Sequence, residues 1–325
     1  MNPLALALLL LWASPIGVGP QGAGGGASGP AAQAPAPVLS LLPLDPDRAL
    51  AGAASGEVRR YALDARPPAF EVLVRLRGAV TALAQSPAGP CAGTDAGAIV
   101  LLPGDPGGAP RSLGRHPGGV RALLCHQGLL FSAGGDGVVR AWDLAGQGEA
   151  GRLEGHEGPV TGLALARGLL WSVGWDRTLR GWKLERRIRA TKKRPSRAAG
   201  KEVARVVAGE RELTAVCAVG DALATACWDG GLRRWDVRKR RPRPRDLPRR
   251  PHQEWVRALA SRDGLLAAAA PAESAVLLCD GDRSPRVVSL AQAPSALAFV
   301  GERLLAGRFD GGVDWVPLDP PGGAK

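Results

Sequence analysis

The chain has 325 residues, of which 45% are hydrophobic, enough apolar material for a buried core; global disorder is excluded. Its formal net charge is +12. Two short segments account for that excess: 185–205 holds nine Lys/Arg against two Glu, and 238–250 holds eight against one acid, Asp246, so the body of the protein is close to neutral.

The N-terminus reads "MNPLALALLLLWASPIG", with an apolar run of about ten residues from Leu4 to Ala13. That is short for a membrane span, which needs roughly 20 residues, but it suits the core of a signal peptide over residues 1–19. The competing reading is a merely apolar N-terminal tail. Export would place the chain in a periplasm or outside the cell; without it the chain is cytoplasmic. Residues 20–36 form a Gly/Ala/Pro linker with no apolar periodicity.

From residue 37 to 318 the sequence repeats. Residues 116–144 and 156–184 align without a gap at an offset of forty. A V-x-[AG]-L element recurs at Val80, Val120, Val160, Leu213, Val256 and, degenerate, Pro294. A second register runs through Tyr61, Leu101, Trp142, Trp182, Trp235, Cys279 and Val316. Between these marks lie runs of five to eight residues rich in Val, Leu and Ala, broken by GG, DG and PG, which is strand and turn chemistry. Four short strands per forty residues make one meander sheet, and such a sheet must stack on neighbours to bury both faces. The prediction is all-β: seven four-stranded antiparallel blades near 37–64, 70–104, 109–144, 149–184, 201–237, 249–281 and 284–318, with a tail at 319–325. Basic insertions fall at 185–200 and 238–251.

The residues that carry this period resemble the WD-repeat (transducin-beta-like) propeller family: "GH" at 155–156, "WDL" at 142–144 and "RRWDV" at 233–237. The resemblance implies a structural tetrad of His, Ser/Thr, Asp and Trp in each full repeat. Here it reads His116, Ser132, Asp136, Trp142 and, one unit on, His156, Ser172, Asp176, Trp182. A third copy keeps Thr225, Asp229 and Trp235 but has Gly209 in the His position, and His252 stands alone in the sixth unit. It also implies that a terminal strand completes the last blade, a place for which "SGPAAQAPAP" (28–37) is the candidate.

The His–Ser–Asp sets invite a catalytic-triad reading, but a nucleophile is not needed twice at blade period, each time followed by a Trp. Such sets instead satisfy buried polar groups. The Gly-rich "GAGGGASG" lacks the Lys-Ser/Thr of a phosphate loop. Cys91, Cys125, Cys217, Cys227 and Cys279 form no regular framework and read as small buried hydrophobes. The expectation is a non-catalytic, monomeric scaffold without cofactor, metal or small-molecule substrate.

Two regions are candidates for contact. The residue before the turn Asp is often a partner contact in the resembled family, which points to Trp175, Trp228 and Phe309. Trp255, just before the first strand of the sixth unit, falls at the same end, and aromatics at a rim make good anchors for a protein partner; interblade packing is the competing reading. At the opposite end, the basic insertions offer Lys192, Lys193, Arg194, Arg197, Arg238, Lys239, Arg240, Arg241, Arg243, Arg245, Arg249 and Arg250 to a polyanion, anionic lipid or nucleic acid; a solvated loop with no specific ligand is the competing reading. No aromatic residue interleaves them, which disfavours base stacking. The Pro-Arg alternation predicts extended loops outside the sheets. The rival function is a protein whose main site is this basic end.

Overall fold

In the computed structural model the described residues are 35–65, 68–145, 148–185, 199–239, 241–246, 255–281 and 284–318. They form 27 strands and one short 3-10 turn at Pro271–Glu273. The strands fall into seven antiparallel meander sheets in chain order: β1–β4 (38–75), β5–β8 (80–115), β9–β12 (120–153), β13–β16 (160–207), β17–β20 (213–246), β21–β24 (258–289) and β25–β27 (294–316). The first strands β1, β5, β9, β13, β17, β21 and β25 each touch the next, and β25 touches β1, so the sheets close into a ring. This is a seven-bladed propeller.

Turn chemistry sets the hairpins. Gln127–Gly128, Arg167–Gly168 and Asp263–Gly264 have positive φ at both central positions, the backbone that lets a two-residue turn follow strand twist. The turns between second and third strands use Asp instead. The Oδ1 atoms of Asp136, Asp176, Asp229 and Asp310 each accept a hydrogen bond from the backbone N–H two residues on, at 3.0–3.1 Å.

The core is distributed. Each of seven buried clusters draws on two neighbouring sheets: Trp142 packs with Ile99 and Leu113 across one seam, and Trp235 with Trp171 and Leu179 across another. No blade has a core of its own, which is why the fold needs the whole ring. All five cysteines are free, with Cys91, Cys227 and Cys279 buried.

Two expectations change. The sequence units are offset from the sheets by one strand: β8, for example, opens the unit 109–144 but pairs with β7 as the outer strand of the preceding sheet. The repeat is visible in sequence from outer strand to third strand, whereas hydrogen bonding groups the inner strand with the outer strand that follows it. The second change concerns the basic segment at 238–251, which is not wholly a loop. Arg243–Asp246 is β20 and pairs with β19 (Leu232–Asp236) in the register Arg234↔Arg245 and Trp235↔Pro244. Pro is tolerated there because an outermost strand has a ladder on one side only.

Among the described residues the seventh sheet has three strands. Residues 28–34 of the candidate closing segment lie outside the described residues; 35–37 are not in a strand, and the Pro37 carbonyl accepts from the Ala54 N–H at 2.9 Å. The seam between the seventh and first blades is held by the Ser295 hydroxyl on the Val38 carbonyl, and by Tyr61 Oη and Arg59 Nη1 on the Gly311 carbonyl at 3.1 and 3.0 Å.

Candidate functional site

The His–Ser–Asp sets come together in the third and fourth blades. Trp142 Nε1 donates to Ser132 Oγ at 2.8 Å, Ser132 Oγ lies 2.7 Å from His116 Nδ1, and His116 Nε2 lies 2.9 Å from Asp136 Oδ1. With a neutral ring, Trp N–H donates to Ser, Ser O–H to His Nδ1 and His Nε2–H to Asp, although Arg140 Nη1, which can only donate, also lies 2.7 Å from that Nε2. Arg140 Nη1 then completes Asp136 Oδ2 at 2.6 Å. In the next blade Trp182 Nε1 donates to Ser172 Oγ at 2.8 Å and Ser172 meets His156 Nε2 at 2.7 Å, while His156 Nδ1 faces Asp176 at 2.9 Å. The two imidazoles therefore present opposite ring nitrogens to the carboxylate.

Both serines have no exposed surface. Their hydroxyls are occupied on both sides, so these constellations tie together the strands of a blade and present no nucleophile to solvent. Burial works against ionisation of Asp176, but hydrogen bonds from His156 and Thr178 outweigh it and hold the carboxyl well below the usual range. Asp136 is held low in the same way by His116 and Arg140.

The fifth blade keeps only a pair, with Trp235 Nε1 on Thr225 Oγ1 at 2.9 Å; Asp229 is exposed and serves only its own turn. The reason a His is absent is steric. A Cβ on Gly209 would come within 2.5 Å of Cys227 Sγ, which occupies the space a side chain there would need. His252 lies outside the described residues.

These networks give acid sensitivity. Burial pushes the His116 imidazole below its ordinary 6.5, so the native state holds the neutral ring. The unfolded chain takes up that proton more readily, so stability is full above about 6.5 and falls as pH drops toward the lower folded value. Asp136 and Asp176 add a second loss below their ordinary 3.8, because native carboxylates must then be protonated. Urea midpoints should decline from about pH 7 to pH 5, and His116→Gln should flatten that part of the curve. A wild-type midpoint independent of pH over that range would contradict the assignment.

A further set of polar contacts joins the blades. The variable position of V-x-[AG]-L, joined in β1 by Ser40 at the [AG] position, carries hydroxyls that reach the carbonyl of the element's first residue in the next blade. Ser40 bonds Val80, Thr81 bonds Val120, Thr161 bonds Leu213 and Thr214 bonds Val256, at 3.1, 2.6, 2.7 and 2.6 Å. Ser295 does the same to Val38, and Arg257 Nε to the Ser295 carbonyl at 2.9 Å. Sequence reading fixed on the apolar positions of the element and missed this ring; its signal was the recurrence of Thr and Ser at x.

The same x position explains the aromatic end. Two blades carry Arg there, and each reaches the aromatic of the following blade: the Arg121 guanidinium lies 5.1 Å from the Trp175 ring centre and that of Arg257 lies 5.8 Å from Phe309. Burial lowers both guanidinium pKa values to about 10. Trp228 and Trp255 stack with centroids 5.0 Å apart at 19°. Trp175, Trp228 and Phe309 sit in turns between second and third strands and are half-buried. Trp255 is only 6% exposed, so it backs Trp228 rather than offering a free ring.

At the basic end, Arg238, Lys239, Arg241, Arg243 and Arg245 are exposed. Lys192, Lys193, Arg194, Arg197, Arg240, Arg249 and Arg250 lie outside the described residues. Arg234, which sequence reading did not single out, lies opposite Arg245 across β19 and β20.

No protein-family model and no curated protein sequence matches the chain. Solved structures do. The WD40 beta-propeller domain of Doa1 is similar at a TM-score of 0.73 and 14% identity, over 87% of this chain and 94% of that one. The computationally designed Ika8 protein is similar at 0.63 and 23% identity, over 86% and 82%. The chain has the WD40 propeller fold. At such identities the likeness is one of fold alone.

Proposed function

We propose that this propeller is a non-catalytic scaffold that engages a protein partner through its aromatic end. WD40 propellers commonly serve as interaction scaffolds and are typically non-catalytic. The observation that carries the reading is the grouping of Trp175, Trp228 and Phe309 in turns at one end, each half-buried and each braced by Arg121, Trp255 or Arg257. Braced rings lose little side-chain entropy when a partner covers them, the usual property of an interface anchor. Trp175→Ala combined with Trp228→Ala should reduce capture of a specific partner by tenfold or more, at about 1–3 kcal/mol per anchor, while the melting temperature stays near wild type. Undiminished capture by the folded double variant would refute it.

A second reading concerns the opposite end. The insertions at 185–200 and 238–251 both follow third strands, β15 of the fourth blade and β19 of the fifth; we read them as a surface for polyanions. Arg234 supports it, since it adds a cation at the foot of the second insertion. If residues 1–19 act as a signal peptide, anionic lipid or an envelope polyanion is the reachable class; if not, nucleic acid is. The mass of the mature N-terminus separates the two.

A further inference from the structure

Between the fifth and sixth blades, at the basic end, is a cleft of about 260 Å³ lined by Val219–Ala222, Arg234, Asp236, Arg238, Arg245 and Gly281. That is below the range of drug-sized ligand sites and suits a small group with a few waters. Five charged side chains line it, and their pairing is uneven. Both Asp236 oxygens are taken by Arg238, Oδ1 by Nε at 3.0 Å and Oδ2 by Nη2 at 2.8 Å. Asp221 is taken by Arg167 of the neighbouring blade, at 2.8 Å. Arg234 and Arg245 remain. They stand directly opposite each other on β19 and β20, and neither has an ion pair or side-chain hydrogen bond among the described residues.

Like charges directly opposite in an antiparallel pair repel, and strands do not gain by such a pairing unless something lies between the charges. Two guanidinium forks converging on a small cleft match the several oxygens of a tetrahedral anion. We propose that this cleft binds a phosphate-type oxyanion, either free or as the phosphomonoester of a larger molecule, held by Arg234 and Arg245 with Arg238 at the rim. The inference rests on reading the basic end as an anion surface, and it narrows that surface to one built site.

Calorimetric titration of the full chain with inorganic pyrophosphate at low salt is the test, alongside flotation with phosphatidylcholine vesicles doped with a phosphatidylinositol bisphosphate. Pyrophosphate should bind, and Arg234→Gln and Arg245→Gln should each weaken it by tenfold or more. In phosphate-free buffer Arg245→Gln should melt no lower than wild type, because it relieves the repulsion. Arg48→Gln, on the first blade, should leave pyrophosphate binding intact, while Lys192→Ser, Lys193→Ser and Arg194→Ser combined test the broader surface with vesicles. Vesicle binding that is also lost in Arg245→Gln assigns the anion to a lipid headgroup; absence of vesicle binding assigns it to a soluble phosphate. Failure of pyrophosphate to bind, or equal binding by the Gln variants, overturns the cleft. If vesicles still bind in that event, and only the Lys192, Lys193 and Arg194 variant loses them, the broader anion surface survives; if nothing binds, both readings fall.

Discussion

Replacing Trp182 by Ala should cost about 3–5 kcal/mol of folding stability, read as a fall in urea midpoint at unchanged slope. The indole is 2% exposed and belongs to the cluster joining the third and fourth blades, with Phe131, Leu153 and Leu170. Removing it opens a cavity on a seam that two sheets share, so neither can collapse into it without disturbing its other neighbour. It also removes the donor to Ser172 Oγ, whose proton is already engaged with His156. Trp182→Phe separates the two effects: most of the volume returns while the N–H does not, and the loss should drop to about 1–2 kcal/mol. Trp142→Ala should behave likewise, since Trp142 is 3% exposed and a Cβ on Gly114 would stand 2.2 Å from its ring. A midpoint unchanged in both Ala variants would remove the case for the tetrads as structural elements.

The second large effect is expected at the closure seam. A Cβ on Gly307 would meet Val38 Cγ1 at 2.5 Å and Val38 Cβ at 3.0 Å, which a folded side chain cannot tolerate. Gly307→Val should therefore push the seventh blade off the first and destabilise by about 1–3 kcal/mol or more. The same close approach recurs at Gly52 against Val80 and Gly93 against Val120, so the seam is built like two others in the ring. Val38→Ala in the same chain should recover part of the loss, and the double-mutant cycle should show coupling above about 0.5 kcal/mol. Hydrogen exchange should locate the opening in β1 and β25 before the rest of the ring. Additive effects of the two substitutions would mean that these residues do not meet.

How much of this was legible beforehand depends on which residues repeat. Trp142 and Trp182 recur forty residues apart, each with its His, Ser and Asp at the same offsets, and so the two tetrads and their turns could be read directly. The basic segment was misjudged in part because Pro-Arg alternation argues against a strand in general. An outermost strand is the exception, and nothing local marks Arg243–Asp246 as outermost. Arg121 and Arg257 were passed over because they occupy a slot that elsewhere holds Thr or Ser, and their reach to Trp175 and Phe309 crosses a blade boundary.

The sequence by itself determined the class and number of blades, because period, turn residues and the apolar register are local properties repeated until they are unmistakable. Only the tertiary structure decided which strand belongs to which sheet, how hydroxyls and Gly–Val contacts link each blade to the next, and which charges meet. Those are relations between residues about forty positions apart, or 257 apart where Ser295 reaches Val38 across the closing seam, and the ring alone brings them within bonding distance.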